Sequence, residues 1–199
     1  MSDRRARRKQ QLLEAAKAVF EEKGYVAATV DDIVGRVDVA RGTFYLYFDD
    51  KLAVFEALVE SFMAALGQCI VSIDLTPGAP SPRDQLRANL RRVVELAVGD
   101  PAMVKIALST AMGVDAGLDE KLSVFYGLLR QFMDETLETG QRLGIVRSGP
   151  RGPMLSIALG GMEGLLLDAV SGAVDSDVDE LVESVMRFLE SGLLDRPRA

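Results

Sequence analysis

The chain has 199 residues, of which 48% are hydrophobic and 27% charged, an ordinary globular composition sized for one or two small domains. It holds no histidine and one cysteine, which excludes Ser–His and Cys–His nucleophile pairs, imidazole metal sites and an intrachain disulfide. The net charge of −7 argues against a polyanionic partner, yet residues 1–51 carry ten Lys+Arg against nine Asp+Glu, whereas residues 52–199 carry thirteen against twenty-one.

Leu, Ala, Met, Glu and Arg dominate, aromatics make up 6%, and the hydrophobic spacing is helical throughout, so the expected class is all-α with about nine helices. Arg4, Arg5, Arg7, Arg8 and Lys9 form a basic arm over residues 1–9, ahead of an amphipathic helix at roughly 6–23 that stops at Gly24. Thr29 caps a short helix ending near Val37, with Asp31 and Asp32 in its first turn where the helix dipole favours negative charge. Ala40–Tyr47 supplies a second short helix, and Phe48-Asp49-Asp50 ends it and caps a longer helix over 51–72. Two such short helices across a tight turn read as a helix-turn-helix, and they need flanking helices to pack on through Val30, Ile33, Phe44 and Phe48.

Thr76-Pro77-Gly78-Ala79-Pro80 is a loop, and Ser81-Pro82 and Asp100-Pro101 each pair a cap with a first-turn proline, opening helices at 82–98 and 101–113. Further helices are expected at 119–143, 153–172 and 177–192. Arg83, Arg87 and Arg91 read as a solvated stripe. The apolar stretch Met154–Ala173 carries Glu163 and Asp168 and is not expected to span a membrane. The basic start runs into Gln10-Gln11 without a signal-peptide core, so a cytoplasmic location with no membrane partner is expected.

The stretch from Gly24 through Thr29-Val30-Asp31-Asp32-Ile33 to Arg41-Gly42-Thr43-Phe44-Tyr45-Leu46-Tyr47-Phe48 and Lys51 closely resembles the DNA-binding domain of TetR-family transcriptional regulators. The resemblance covers residues 8 to about 60 and implies a helix-turn-helix domain at 1–50 followed by a helical ligand-binding and dimerisation domain at 51–199. It implies that Arg41, Gly42 and Thr43 meet base edges and adjacent phosphates and that the hydroxyls of Tyr45 and Tyr47 contact phosphates. It further implies that Thr29 and Lys51 clamp the flanking backbone, while Arg4 and Arg5 add sequence-independent affinity. The alternation of Tyr45 and Tyr47 with Phe44 and Phe48 points to one polar and one buried face. Asp38 replaces a glycine usual in the family's turn, a substitution that aspartate tolerates because its short side chain suits left-handed backbone. Leu46 stands where a polar or aromatic residue is commoner and is expected to make an apolar contact such as a thymine methyl.

Beyond residue 60 the resemblance is one of helix count alone. Gly160 and Gly164, with Leu167 on the same helix and Leu181, Val185 and Phe188 on the last, are expected to form a two-fold four-helix dimer interface. Phe62, Met63, Met103, Met112, Phe125, Tyr126, Phe132 and Met133 are candidate linings for a small apolar effector. The resulting expectation is a homodimeric regulator of double-stranded DNA, a repressor released by its effector, with no catalytic residue, cofactor or metal. A DNA-tethered protein that recruits another protein is the alternative.

Overall fold

The computed structural model describes residues 2–109 and 116–192. The helices among them are α1 (Ser2–Ala27), α2 (Val30–Arg36), α3 (Arg41–Phe44), α4 (Lys51–Cys69), α5 (Pro82–Gly99), α6 (Pro101–Ser109), α7 (Ala116–Arg142), α8 (Arg151–Ser171) and α9 (Val178–Gly192). The all-α expectation of about nine helices is met. Local chemistry sets most boundaries. Asp50 Oδ1 accepts from the Ala53 amide at 2.8 Å at the start of α4, Ser81 Oγ accepts from the Asp84 amide at 3.2 Å on α5, and Asp100 Oδ1 accepts from the Met103 amide at 3.3 Å on α6.

Two departures from expectation fall in the amino-terminal helices. Arg4 and Arg5 lie in the first turns of α1 rather than on an arm, because Arg, Ala, Lys and Gln are good helix formers and nothing before Gly24 breaks the pattern. The second short helix, expected over Ala40–Tyr47, is helical only over Arg41–Phe44. Its continuation tightens into i to i+3 bonds, Tyr47 donating to the Phe44 carbonyl at 2.9 Å and Leu46 to that of Thr43 at 3.3 Å, before Phe48 donates to the same Phe44 carbonyl at 3.1 Å.

The chain falls into two compact units, Met1–Ala65 with Asp100–Ser123 and Leu66–Gly99 with Val124–Ala199. α4 runs through the boundary, contributing Lys51 to Ala65 to the first unit and its last turn to the second. α6, expected beyond the helix-turn-helix domain, packs on α1 within the first unit, where Lys17 pairs with Asp100 at 2.9 Å and Lys105 with Glu21 at 3.3 Å.

The core of the first unit is built from Leu12, Ala16, Val19 and Phe20 of α1, Ile33 of α2, Phe44 of α3, and Val54 and Phe55 of α4, all fully or almost fully buried. Gly24 breaks α1 at φ 73° and ψ 159°, a conformation nearly restricted to glycine. The break swings Tyr25 into the core, its ring centroid 5.5 Å from that of Phe20 and 5.2 Å from that of Phe55.

In the second unit α5 packs against α8 and α9, over a cluster in which Leu137, Val146, Leu155 and Leu189 are buried and Leu86, Leu90, Met133 and Val185 lie against them. The chain after α7 folds back so tightly that a Cβ at Gly140 would lie 2.6 Å from Val146 Cγ2. Arg83, Arg87 and Arg91, expected in solvent, instead pair across the α5–α9 seam: Arg83 with Glu190 at 3.0 Å, Arg87 with Glu183 at 2.8 Å, and Arg91 with Asp179. The extended segment before α5 is fastened to that helix by side chains that imitate peptide groups. Asn89 accepts from the Val71 amide at 3.2 Å and donates to its carbonyl at 2.7 Å, and Gln85 makes the same pair of bonds with Asp74, both at 2.7 Å.

By length and hydropathy alone α4 and α8 are each long and apolar enough to cross a bilayer, a test that the core helix of a soluble protein also passes. In α4 the apolar residues Val54, Phe55, Leu58 and Val59 are buried against protein.

Candidate nucleic-acid interface

The helix-turn-helix is assembled by local capping and by ion pairs between its helices. Thr29 Oγ1 accepts from the Asp32 amide at 3.2 Å while Asp32 Oδ2 accepts from the Thr29 amide at 3.0 Å, a reciprocal capping box that starts α2. Lys23 of α1 pairs with the same carboxylate at 2.6 Å, and this contact, followed by the Thr29 hydroxyl and amide, holds Asp32 down to about 2. Arg36 grips Glu22 through both terminal nitrogens, at 2.8 and 2.5 Å, and that contact pulls the Glu22 carboxyl below its ordinary range. These pairs bind α2 to the end of α1. The turn after α2 places Asp38 at φ 48°, in the left-handed region expected for it.

α3 then presents two chemically distinct faces. Phe44 is fully buried and Phe48 nearly so, their rings 5.7 Å apart, while Tyr45 is 47% and Leu46 69% exposed. Gly42 and Arg41 are also exposed, and Thr43 and Tyr47 half-buried. A Cβ at Gly42 would meet nothing within 4 Å, so no neighbour among the described residues requires a glycine there.

Basic side chains of α1 adjoin this segment: Arg5 lies 6.0 Å from the Tyr47 ring centroid and Lys9 5.5 Å from that of Phe48. Arg4 is exposed on the same first turn of α1. The Arg41 guanidinium is 6.0 Å from the Tyr45 ring centroid, and Arg41 is pushed further above its ordinary range by the hydrogen bond to the Tyr45 hydroxyl and then by the charge of Asp31. Sequence reasoning assigned Asp31 only to the helix dipole; its partnership with Arg41, ten residues away, has no local signature.

Two residues implied by the resemblance have internal duties. Thr29 is the α2 cap described above. Lys51 donates from Nζ to the carbonyls of Tyr25 at 2.6 Å, Ala28 at 2.9 Å and Val26 at 3.3 Å, and lies 4.4 Å from the Tyr25 ring centroid. An ammonium has three N–H donors, so Lys51 ties down the chain after the Gly24 break rather than presenting a vacant donor to phosphate.

The candidate effector linings divide between the units. Phe62 and Met63 are half-buried on α4, and Met103 of α6 is buried in the first unit. In the second unit Met133 packs on the core cluster and Phe132 is 43% exposed, so Phe132 faces outward rather than lining an enclosure. Tyr126 is half-buried, its phenol raised by burial and then by the charge of Glu163, whose own carboxyl is raised by burial. Phe125 lies on α7 but its side chain, like Met112 as a whole, falls outside the described residues. Of the expected interface residues, Gly160, Gly164 and Phe188 are exposed and Leu167 and Val185 half-buried, whereas Leu181 is buried within its own chain.

A capped first helix, a turn in left-handed geometry and an exposed second helix flanked by cations have the form of a helix-turn-helix. Residues 12–58 match the family model described as "Bacterial regulatory proteins, tetR family". The chain is 43% identical over 54 residues to the uncharacterized HTH-type transcriptional regulator YvdT of Bacillus subtilis, covering 27% of this chain and 28% of YvdT. It is 26% identical over 140 residues to the HTH-type transcriptional repressor DhaR of Mycobacterium sp. strain GP1, covering 70% of each. The match to YvdT thus spans little more than a quarter of that relative. The fold agrees along almost the whole chain with that of the transcriptional regulator FadR from Bacillus subtilis, solved in complex with stearoyl-CoA: TM-score 0.73, 22% identity, 92% of this chain and 98% of the other. Residues 12–58 thus resemble the amino-terminal domain of tetR-family regulators, and the fold is shared along almost the whole chain.

Proposed function

We propose that the chain is a homodimeric repressor that binds double-stranded DNA through two α3 segments in successive major grooves of a pseudo-palindrome and is released by a small apolar effector. The observation that carries this reading is the exposed row Arg41, Tyr45 and Leu46, adjoined by Arg5 over Tyr47 and backed by buried Phe44 and Phe48. An acidic molecule thereby offers a polyanion one cationic, aromatic face. DhaR, matched over 70% of its length, carries the name repressor, which supports repression here.

The two-fold contact is assigned to the outer faces of α8 and α9. Ile157 is 62% and Phe188 51% exposed, and Cβ atoms at Gly160, Gly161 and Gly164 would meet nothing within 4 Å. Three glycines inside one helix cost about 1 kcal/mol each relative to alanine. No neighbour among the described residues explains them, and a second copy approaching closely would. The effector is assigned to the carboxyl-terminal helices, supported by the stearoyl-CoA held by the structurally similar FadR. A hundredfold loss of operator affinity requires about 2.7 kcal/mol of coupling, and by linkage DNA weakens effector binding equally.

Sequences selected by the full chain from a randomised duplex library test the reading, followed by titrations across salt concentrations. Arg41→Ala is expected to relax base preference at one position per half-site. Arg4→Ala with Arg5→Ala is expected to flatten the salt dependence by up to about 0.9 per lost phosphate contact and leave preference intact. If both changes act alike, the assignment of roles is wrong. Fatty acyl-CoA added to the complex is expected to release it; no release and no thermal shift would favour recruitment of a protein partner, for which the exposed row Val124, Leu128 and Phe132 on α7 is available.

A further inference from the structure

Arg41 reads bases only if its guanidinium plane is held edge-on to the groove, because bidentate recognition needs two N–H donors in a fixed direction. A long side chain at the first position of a four-residue helix has little around it to set that direction. The structure supplies two brackets: Arg41 Nη1 donates to Asp31 Oδ2 at 3.0 Å and Nη2 to the Tyr45 hydroxyl at 3.4 Å. Of the five N–H donors of the guanidinium these bonds occupy two, leaving three for a bidentate base contact.

The Asp31–Arg41 pair contributes little as a fold contact. Both side chains are well exposed, at 66% and 58%, and ion pairs of that exposure are strongly screened. The helices it joins are already fastened: Asp32 and Arg36 tie α2 to α1, and Phe44 is buried beneath α3. A carboxylate beside a face that meets a polyanion also opposes binding by its charge. What Asp31 provides against that penalty is a competitor for phosphate, which keeps the guanidinium aimed at base edges and away from the nearest backbone oxygen.

We infer that Asp31 is a positioning residue for base reading: its carboxylate, with the Tyr45 hydroxyl, orients the Arg41 guanidinium toward the groove and trades general DNA affinity for base selectivity. The inference rests on the proposal that this face binds duplex DNA.

Asp31→Asn keeps the shape and first-turn compatibility of the side chain while removing its charge, and Asp31→Ala removes both. Full-length protein and each variant, with Arg41→Ala for reference, are taken through the randomised-duplex selection, then through salt titrations on the selected duplex and on an unrelated one. Both Asp31 variants are expected to lose at least fivefold of the preference at the position that Arg41→Ala flattens. They are also expected to bind the unrelated duplex more tightly and keep the wild-type melting temperature, and the Asp31→Ala, Arg41→Ala double variant to lose no more preference than Arg41→Ala alone. Preference at that position preserved within twofold in Asp31→Asn overturns the inference. So does loss spread over every position with a melting temperature several degrees lower, which would make Asp31 a folding residue. Wild-type protein that enriches no motif overturns the DNA reading itself, and this assignment with it.

Discussion

Replacing Lys51 by methionine separates the two roles that sequence and structure give it. Methionine keeps much of the apolar stem and removes the ammonium, leaving the carbonyls of Tyr25, Val26 and Ala28 without their shared donor. The contacts to Tyr25 and Ala28 are part-buried, and orphaning such a group costs about 1–2 kcal/mol. The Val26 carbonyl contact is exposed, and water replaces the donor there with little loss. The expected destabilisation is therefore about 2–4 kcal/mol, or a fall in Tm of about 6–12 °C for a chain of this size. The assay is thermal unfolding by circular dichroism, paired with a salt titration of DNA binding below the transition. The slope of log K against log salt is expected to match wild type, because the three Nζ donors are already committed to backbone carbonyls. A Tm within 1 °C of wild type, with a slope reduced by about 0.9, would refute the reasoning and return Lys51 to the phosphate backbone.

Gly24→Ala is expected to destabilise the first unit by about 1–3 kcal/mol in urea denaturation, because φ 73° with ψ 159° excludes a Cβ on backbone grounds even though nothing lies within 4 Å of one; an unchanged midpoint would contradict the break in α1. The Asp32 carboxylate, ordinarily near 3.8 and held to about 2 when folded, binds its proton less readily in the native state, so its contribution is complete above pH 3.8 and is lost as pH falls through about 2. Its carboxyl chemical shift should titrate near 2 in wild type and higher in Lys23→Met, and a wild-type midpoint near 3.8 would remove the Lys23–Asp32 contact from the account. Gly160→Leu with Gly164→Leu should convert the proposed dimer to a monomer in sedimentation velocity with an unchanged helical spectrum, since a Cβ at either position meets nothing within 4 Å among the described residues; a persistent dimer would move the interface elsewhere.

Elements whose chemistry lies within four residues were legible without a structure. The Thr29 cap, the left-handed Asp38, the starts at Ser81-Pro82 and Asp100-Pro101 and the split between Tyr45 and Phe44 all follow from side chains acting on their own turn of helix. The length of α3 was not legible, because a run that ends at Phe48-Asp49-Asp50 can close in either helical or tighter turns, and the buried Phe44 and Phe48 settle which.

What the order of residues determined by itself was the class of fold, the helices among the described residues and the segment that carries the exposed face of α3, since helical periodicity and capping are short-range properties of the chain. Tertiary structure alone decided what the charged groups do. Lys51 meets carbonyls 23 to 26 residues away, Arg41 meets Asp31 across the turn, and the α5 arginines meet α9 carboxylates 88 to 107 residues on. A long cation carries no local mark of its partner; it pairs with whatever acceptor packing brings within reach, and that packing is set by the buried apolar faces.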